Sequence, residues 1–190
     1  MITQSATAGI EWLFEKAVRE NSVSGPEDSC SLSKLAVAKE IKDNAKQHLV
    51  VLTISSYLFR IVALFQFNKD QATIELMARL SRAQTPELDE QALVDAYAEL
   101  ANMVCGAVNR GLGAPFPHIG MSTPYALESS CANYLAALQP QYIQHYEVAV
   151  NDSVRFNLSL CLCAGADTSL DFRIDTYEAE DESSGELELF

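Results

Sequence analysis

Apolar residues recur along this chain with two different periods. Between Ala8 and Glu20, the residues Ile10, Leu13, Phe14 and Ala17 share one stripe at helical spacing, which predicts an amphipathic helix. Asn21-Ser22-Val23-Ser24-Gly25-Pro26 ends it in loop chemistry. Residues 32–46 read as a second, weaker helix carried by Leu35, Ala38 and Ile41. From His48 to Phe67 the texture changes to β-branched and aromatic residues, with Ser55-Ser56 as the turn. Two strands, about 48–55 and 58–67, fit this better than one buried helix of the same length. A short helix over about 70–82 follows, with Ile74, Met77 and Ala78 facing inwards.

The strongest pattern is the next one, a helix over about 86–110. Leu93, Tyr97, Leu100, Ala101, Val104 and Val108 form one continuous apolar stripe. Thr85 suits its N-cap and Pro86 its first helical position. Asn109-Arg110-Gly111 suits its end, with glycine in a left-handed cap. A Gly/Pro-rich loop leads to a strand near 118–128, an unassigned piece at 129–138, and two strands near 141–150 and 153–164. Val154, Phe156, Leu158 and Leu160 alternate there with polar residues, so the sheet buries one face. Asn151-Asp152 is hairpin-turn chemistry.

This order of elements predicts an α/β (α+β) domain, a mostly antiparallel sheet covered by helices on one side. The organisation expected is an N-terminal helical segment at 1–45, the sheet-bearing domain at 46–170, and an acidic tail at 171–190. That tail holds eight carboxylates and one arginine, which is the composition of a solvated segment.

Composition then narrows the function. An apolar share of 48% supports a packed core. A net charge of −13 repels phosphate backbones, so nucleic acid is not an expected partner. The stretch Leu49–Phe67 carries Ser55, Ser56, Arg60 and Gln66, so no membrane span is expected. The N-terminus has no basic and apolar secretory pattern, and five cysteines without a disulfide framework fit the cytoplasm.

Chemistry concentrates on the long helix. Asp95, Glu99 and Asn102 stand at i, i+4 and i+7, which puts a carboxylate and an amide on one face, largely opposite the apolar stripe. Taken alone, such a pair is most often a solvated helix face. Cys161 and Cys163 point to one side of a strand but lack further ligands, so they read as buried thiols. His48, His118 and His145 match no ligand spacing. Gly111-Leu-Gly113-Ala-Pro115 follows a helix where a phosphate loop would open one. Ser129-Ser130-Cys131 has no assigned base.

Asp95-x3-Glu99-x2-Asn102, followed after 21 residues by Pro124, resembles the signature of the CheC/CheX/FliY family of chemotaxis phosphatases. Gly106, four residues after Asn102, matches the CheX-like version, and one signature helix is the CheX-like pattern. The resemblance covers roughly residues 45–165. It implies a CheC/CheX-like fold, a homodimer, and hydrolysis of the aspartyl phosphate on a CheY-like response regulator. Asn102 would position the attacking water and Glu99 would engage the regulator's active-site lysine. Asp95, Gly106 and Pro124 would support the contact. No cofactor is implied for this chain, since Mg²⁺ would sit on the regulator. The alternative is a regulator-binding or scaffold domain without catalysis.

Overall fold

The computed structural model describes residues 1–36, 47–85, 87–165 and 167–175. Helix α1 (Gln4–Asn21) is followed by strand β1 (Cys30–Leu35), the hairpin β2 (Gln47–Ser55) and β3 (Phe59–Asn68), and helix α2 (Gln71–Leu80). Helix α3 (Glu90–Leu112) leads to the short strands β4 (Gly120–Met121) and β5 (Tyr125–Leu127), a 3-10 helix (Ser129–Leu138), and the hairpin β6 (Tyr142–Val150) and β7 (Ser153–Ala164). The strands form one sheet in the order β1-β6-β7-β3-β2, and β4 and β5 both pair with the outer edge of β2. Every ladder is antiparallel.

Period-two burial sorts the sheet's two faces. Val50, Leu52 and Ile54 of β2, Phe65 and Phe67 of β3, and Phe156, Leu158 and Leu160 of β7 meet the apolar faces of α1, α2 and α3. The alternate residues Leu49, Val51, Val62, Leu64 and Cys161 form a smaller cluster under Ala132 and Leu135 of the 3-10 helix. The helices thus cover one side, and the 3-10 helix adds a patch on the other. The turn at Asn151 and Asp152 has φ of 53° and 59°, as a type I′ hairpin requires.

Four expectations change. Residues 30–35 are an edge strand paired with β6, where the start of a helix over 32–46 was expected. Residues 32–35 join the sheet because an edge strand needs only half its side chains buried; the expected helix positions Ala38 and Ile41 lie outside the described residues, as does the rest of 37–46. The long helix starts at Asp89, whose carboxylate accepts from Ala92 N at 2.8 Å. An ionised cap is the stronger acceptor, and Thr85 instead donates to the Glu87 carbonyl; Pro86 lies outside the described residues. At the other end α3 runs through Gly111 to Leu112, and Gly111 serves close packing against α1, not a left-handed cap. The strand near 118–128 is split into β4 and β5. Met121 pairs with Ile54 but Tyr125 pairs with Val51, so three residues, 122–124, face two on β2. Pro124 sits in this bulge, where its missing N–H costs no ladder bond.

Chain beyond the sheet also joins the core. The Phe172 ring meets Phe116 edge to face at 5.0 Å, and Ile174 packs close to Gly9 of α1. Leu170 accepts from Thr3 N at 3.0 Å and donates to the Met1 carbonyl at 2.9 Å, tying both ends of the packed region together.

Candidate functional site

Helix α3 is held along its length by a buried apolar stripe. Its buried stripe of Leu93, Ala96, Tyr97, Leu100, Ala101, Val104, Cys105 and Val108 packs on β2 and β3 and against α1. Tyr97 is the anchor. Its ring stacks on Phe67 with centroids 4.2 Å apart and planes 11° from parallel. Its hydroxyl donates to the Asn68 carbonyl at 2.9 Å, and burial pushes the phenol pKa up. At the other end the α1–α3 crossing is so close that a Cβ on Gly111 would collide with the Leu13 side chain.

On the outer surface of this rigid rod, Asp95 and Glu99 are exposed and Asn102 is half-buried. Asp95 accepts a hydrogen bond from Gln91 Nε2 at 2.9 Å. Glu99 and Asn102 form no side-chain hydrogen bond or ion pair among the described residues. Gly106 continues the same stripe one turn on, and Met103 beside it is 36% exposed. Asp95, Glu99, Asn102 and Gly106 therefore share one helix. Pro124 stands on another element, in the bulge between β4 and β5, two strands that both touch α3. The chain before it is pinned to β2 by Ser122 N on the Thr53 carbonyl at 2.9 Å and by Thr53 N on Ser122 Oγ at 3.0 Å.

A carboxylate and an amide one turn apart, fixed by a helix and without side-chain partners among the described residues, can engage a cation and a water on a molecule docked against them. The two buried thiols, Cys105 and Cys161, offer no rival chemistry. Burial pushes Cys105 and Cys161 up to about 12, far from the thiolate form. His145, buried on the opposite face, bonds Ser159 Oγ at 2.8 Å through Nδ1, and burial lowers its pKa. Sequence reasoning did not find the close packing at Gly111 or the bulge at Pro124, because both depend on a partner element distant in sequence.

The sheet and its flanking helices define the fold of the CheC/CheX-like chemotaxis proteins. Among solved structures, CheX in the CheX–CheY–BeF3–Mg²⁺ complex from Borrelia burgdorferi superposes with a TM-score of 0.57 at 10% identity, covering 83% of this chain and 97% of that one. CheX from Vibrio vulnificus gives 0.54 at 13% identity, over 83% and 98%. The FliM middle domain from Vibrio alginolyticus gives 0.53 at 11% identity, over 82% and 92%. No protein-family model matches the sequence, and no curated protein matches it. At such identities the likeness fixes the fold, and the function has to be argued from the site.

Proposed function

We propose that this chain is a CheX-like member of the CheC/CheX/FliY phosphatases that speeds hydrolysis of the aspartyl phosphate on a CheY-like response regulator. The observation that carries this reading is the exposed Glu99 and half-buried Asn102, without side-chain partners among the described residues, on a helix packed on the sheet. Phosphoryl transfer to water spreads charge over the equatorial oxygens and asks chiefly for alignment of the nucleophile. The Asn102 amide can hold a water in line without repelling the phosphoryl group, as a carboxylate there would. Glu99 pairs with the regulator's lysine and sets the docking register. Asp95 and Pro124 support the contact from its rim. The regulator carries the Mg²⁺, and among the described residues of this chain no group of three or more His, Cys, Asp or Glu forms a metal cradle.

The regulator's own decay is the baseline of the test. The purified chain, mixed with a panel of phosphorylated receiver domains, accelerates loss of phosphate from one of them, and Asn102→Ala lowers that acceleration roughly a hundredfold. Glu99→Ala weakens the complex as well as the rate. No acceleration with any receiver sinks the catalytic reading.

A second reading, a regulator-binding domain without catalysis, would use the same exposed Glu99. There Glu99→Ala weakens complex formation while decay of the phosphate is the same with and without the chain. In either reading the molecule works in the cytoplasm as a homodimer, and sedimentation equilibrium decides the latter. No helix among the described residues is long and apolar enough to cross a membrane.

A further inference from the structure

On the sheet face turned away from the helices, polar residues stand in one cross-strand row. Ser33 on β1 faces Glu147 on β6, Glu147 faces Asn157 on β7, and Asn157 faces Gln66 on β3. Strand alternation fixes their side, because Phe65 and Phe67, Phe156 and Leu158, and Tyr146 and Val148, which flank the last three, all point into the core under the helices. Exposure falls along the row. Ser33 is exposed, Glu147 and Asn157 are half-buried, and Gln66 is 2% exposed. The row therefore leads from an edge strand to a buried end.

Gln66 is the costly member. Its amide oxygen and its amide nitrogen are both buried without a hydrogen-bond partner. Burying an amide is unfavourable unless both halves are paired, and a leucine, as at Leu64 two residues earlier, would fill such a place without that penalty. Asn157 and Glu147 likewise form no side-chain hydrogen bond or ion pair among the described residues. The next row shows the contrast, since His145 and Ser159 satisfy each other at 2.8 Å. Unpaired groups thus gather in one row, beside a row whose buried polar groups are paired.

The chemistry of the row defines what it fits. An amide with both halves free is matched by a second amide, which returns a donor to the oxygen and an acceptor to the nitrogen. A carboxylate without a cation is matched by an ammonium. Adjacent strands lie about 4.8 Å apart, so one small molecule lying across β7 reaches both Glu147 and Gln66. We propose that this row is a binding site for a small amine that carries a neutral carboxamide, a ligand of the amino-acid class. Its ammonium pairs with Glu147, its amide closes a reciprocal pair with Gln66, and Asn157 bonds the groups between. The site lies across the sheet from α3 and stands or falls without the phosphatase reading.

The test uses the full chain with L-glutamine, L-glutamate and putrescine as probes. L-glutamine should raise the melting temperature progressively with its concentration. L-glutamate, whose side-chain carboxylate cannot donate, and putrescine, which has no acceptor, should raise it far less. Titration calorimetry should show L-glutamine bound about tenfold or more weakly by Glu147→Gln and by Gln66→Leu. Without ligand, Gln66→Leu should melt no lower than the wild type, because it removes an unpaired buried amide. A Gln66→Leu chain that melts well below the wild type overturns the proposal, since the amide then belongs to the fold. Glu147→Gln changes a half-buried side chain and tests the other end of the row by itself, and undiminished L-glutamine binding there overturns the proposal as well. So does a melting temperature that millimolar L-glutamine leaves in place, or that putrescine raises equally.

Discussion

Residue identity on α3 divides into anchors and reagents. Leu93, Tyr97, Leu100, Ala101, Val104 and Val108 were legible in advance as the buried stripe, because a 3.6-residue period admits few alternatives. The outward position of Glu99 follows from the same arithmetic. The part of Tyr97 that sequence does not show is its hydroxyl, which reaches the Asn68 carbonyl on β3. Tyr97→Phe keeps the stack on Phe67 and removes this hydrogen bond. It should cost about 1 kcal/mol of stability, read as a lower urea midpoint at unchanged slope. A midpoint equal to the wild type's would mean the hydroxyl contributes nothing to holding the helix.

At the scale of elements, the hairpins were readable and the edges were not. Strands β2, β3, β6 and β7 fall within two residues of their expected spans, since each is long and packs in the middle of the sheet. Strand β1 has a sparse apolar pattern and exists through its ladder to β6, so a local reading sees helix. Pro124 was visible as a residue but not as a bulge, because the register of β4 and β5 is set by β2. The α1–α3 crossing was hidden likewise, and it gives a test. Gly111→Ala should destabilise the fold by about 1–3 kcal/mol through overpacking on Leu13. Adding Leu13→Ala should restore part of that loss, since the two sites share one contact. Additive losses in the double variant would show that the crossing is not what Gly111 serves.

For the molecule as a whole, acid stability follows from which groups are buried uncharged. His145 and His48 both have pKa values lowered from 6.5, in each case chiefly by burial. For His48 the Lys69 ammonium adds to the lowering, while Glu90 and Glu128 oppose it. The unfolded chain therefore binds more protons than the folded one below about pH 6.5, and stability must fall as pH drops through that window. Exposed carboxylates begin to titrate only below about pH 5, so the interval between about 7.5 and 5.5 isolates the histidines from the relief of the −13 net charge. A second loss lies lower. Hydrogen bonds from Ser24 and Asn151, with Arg79 nearby, hold Asp28 at about 2 against an ordinary 3.8. Its contribution is complete above about pH 4 and disappears as pH falls towards 2. Denaturant unfolding across a pH series should show both declines. His145→Gln keeps a partner for Ser159 but cannot titrate, so it should flatten the upper decline and leave the lower one in place. Stability that stays level from pH 7.5 to 5.5 in the unsubstituted chain would mean the imidazoles gain protons as readily folded as unfolded, contrary to their burial against the sheet.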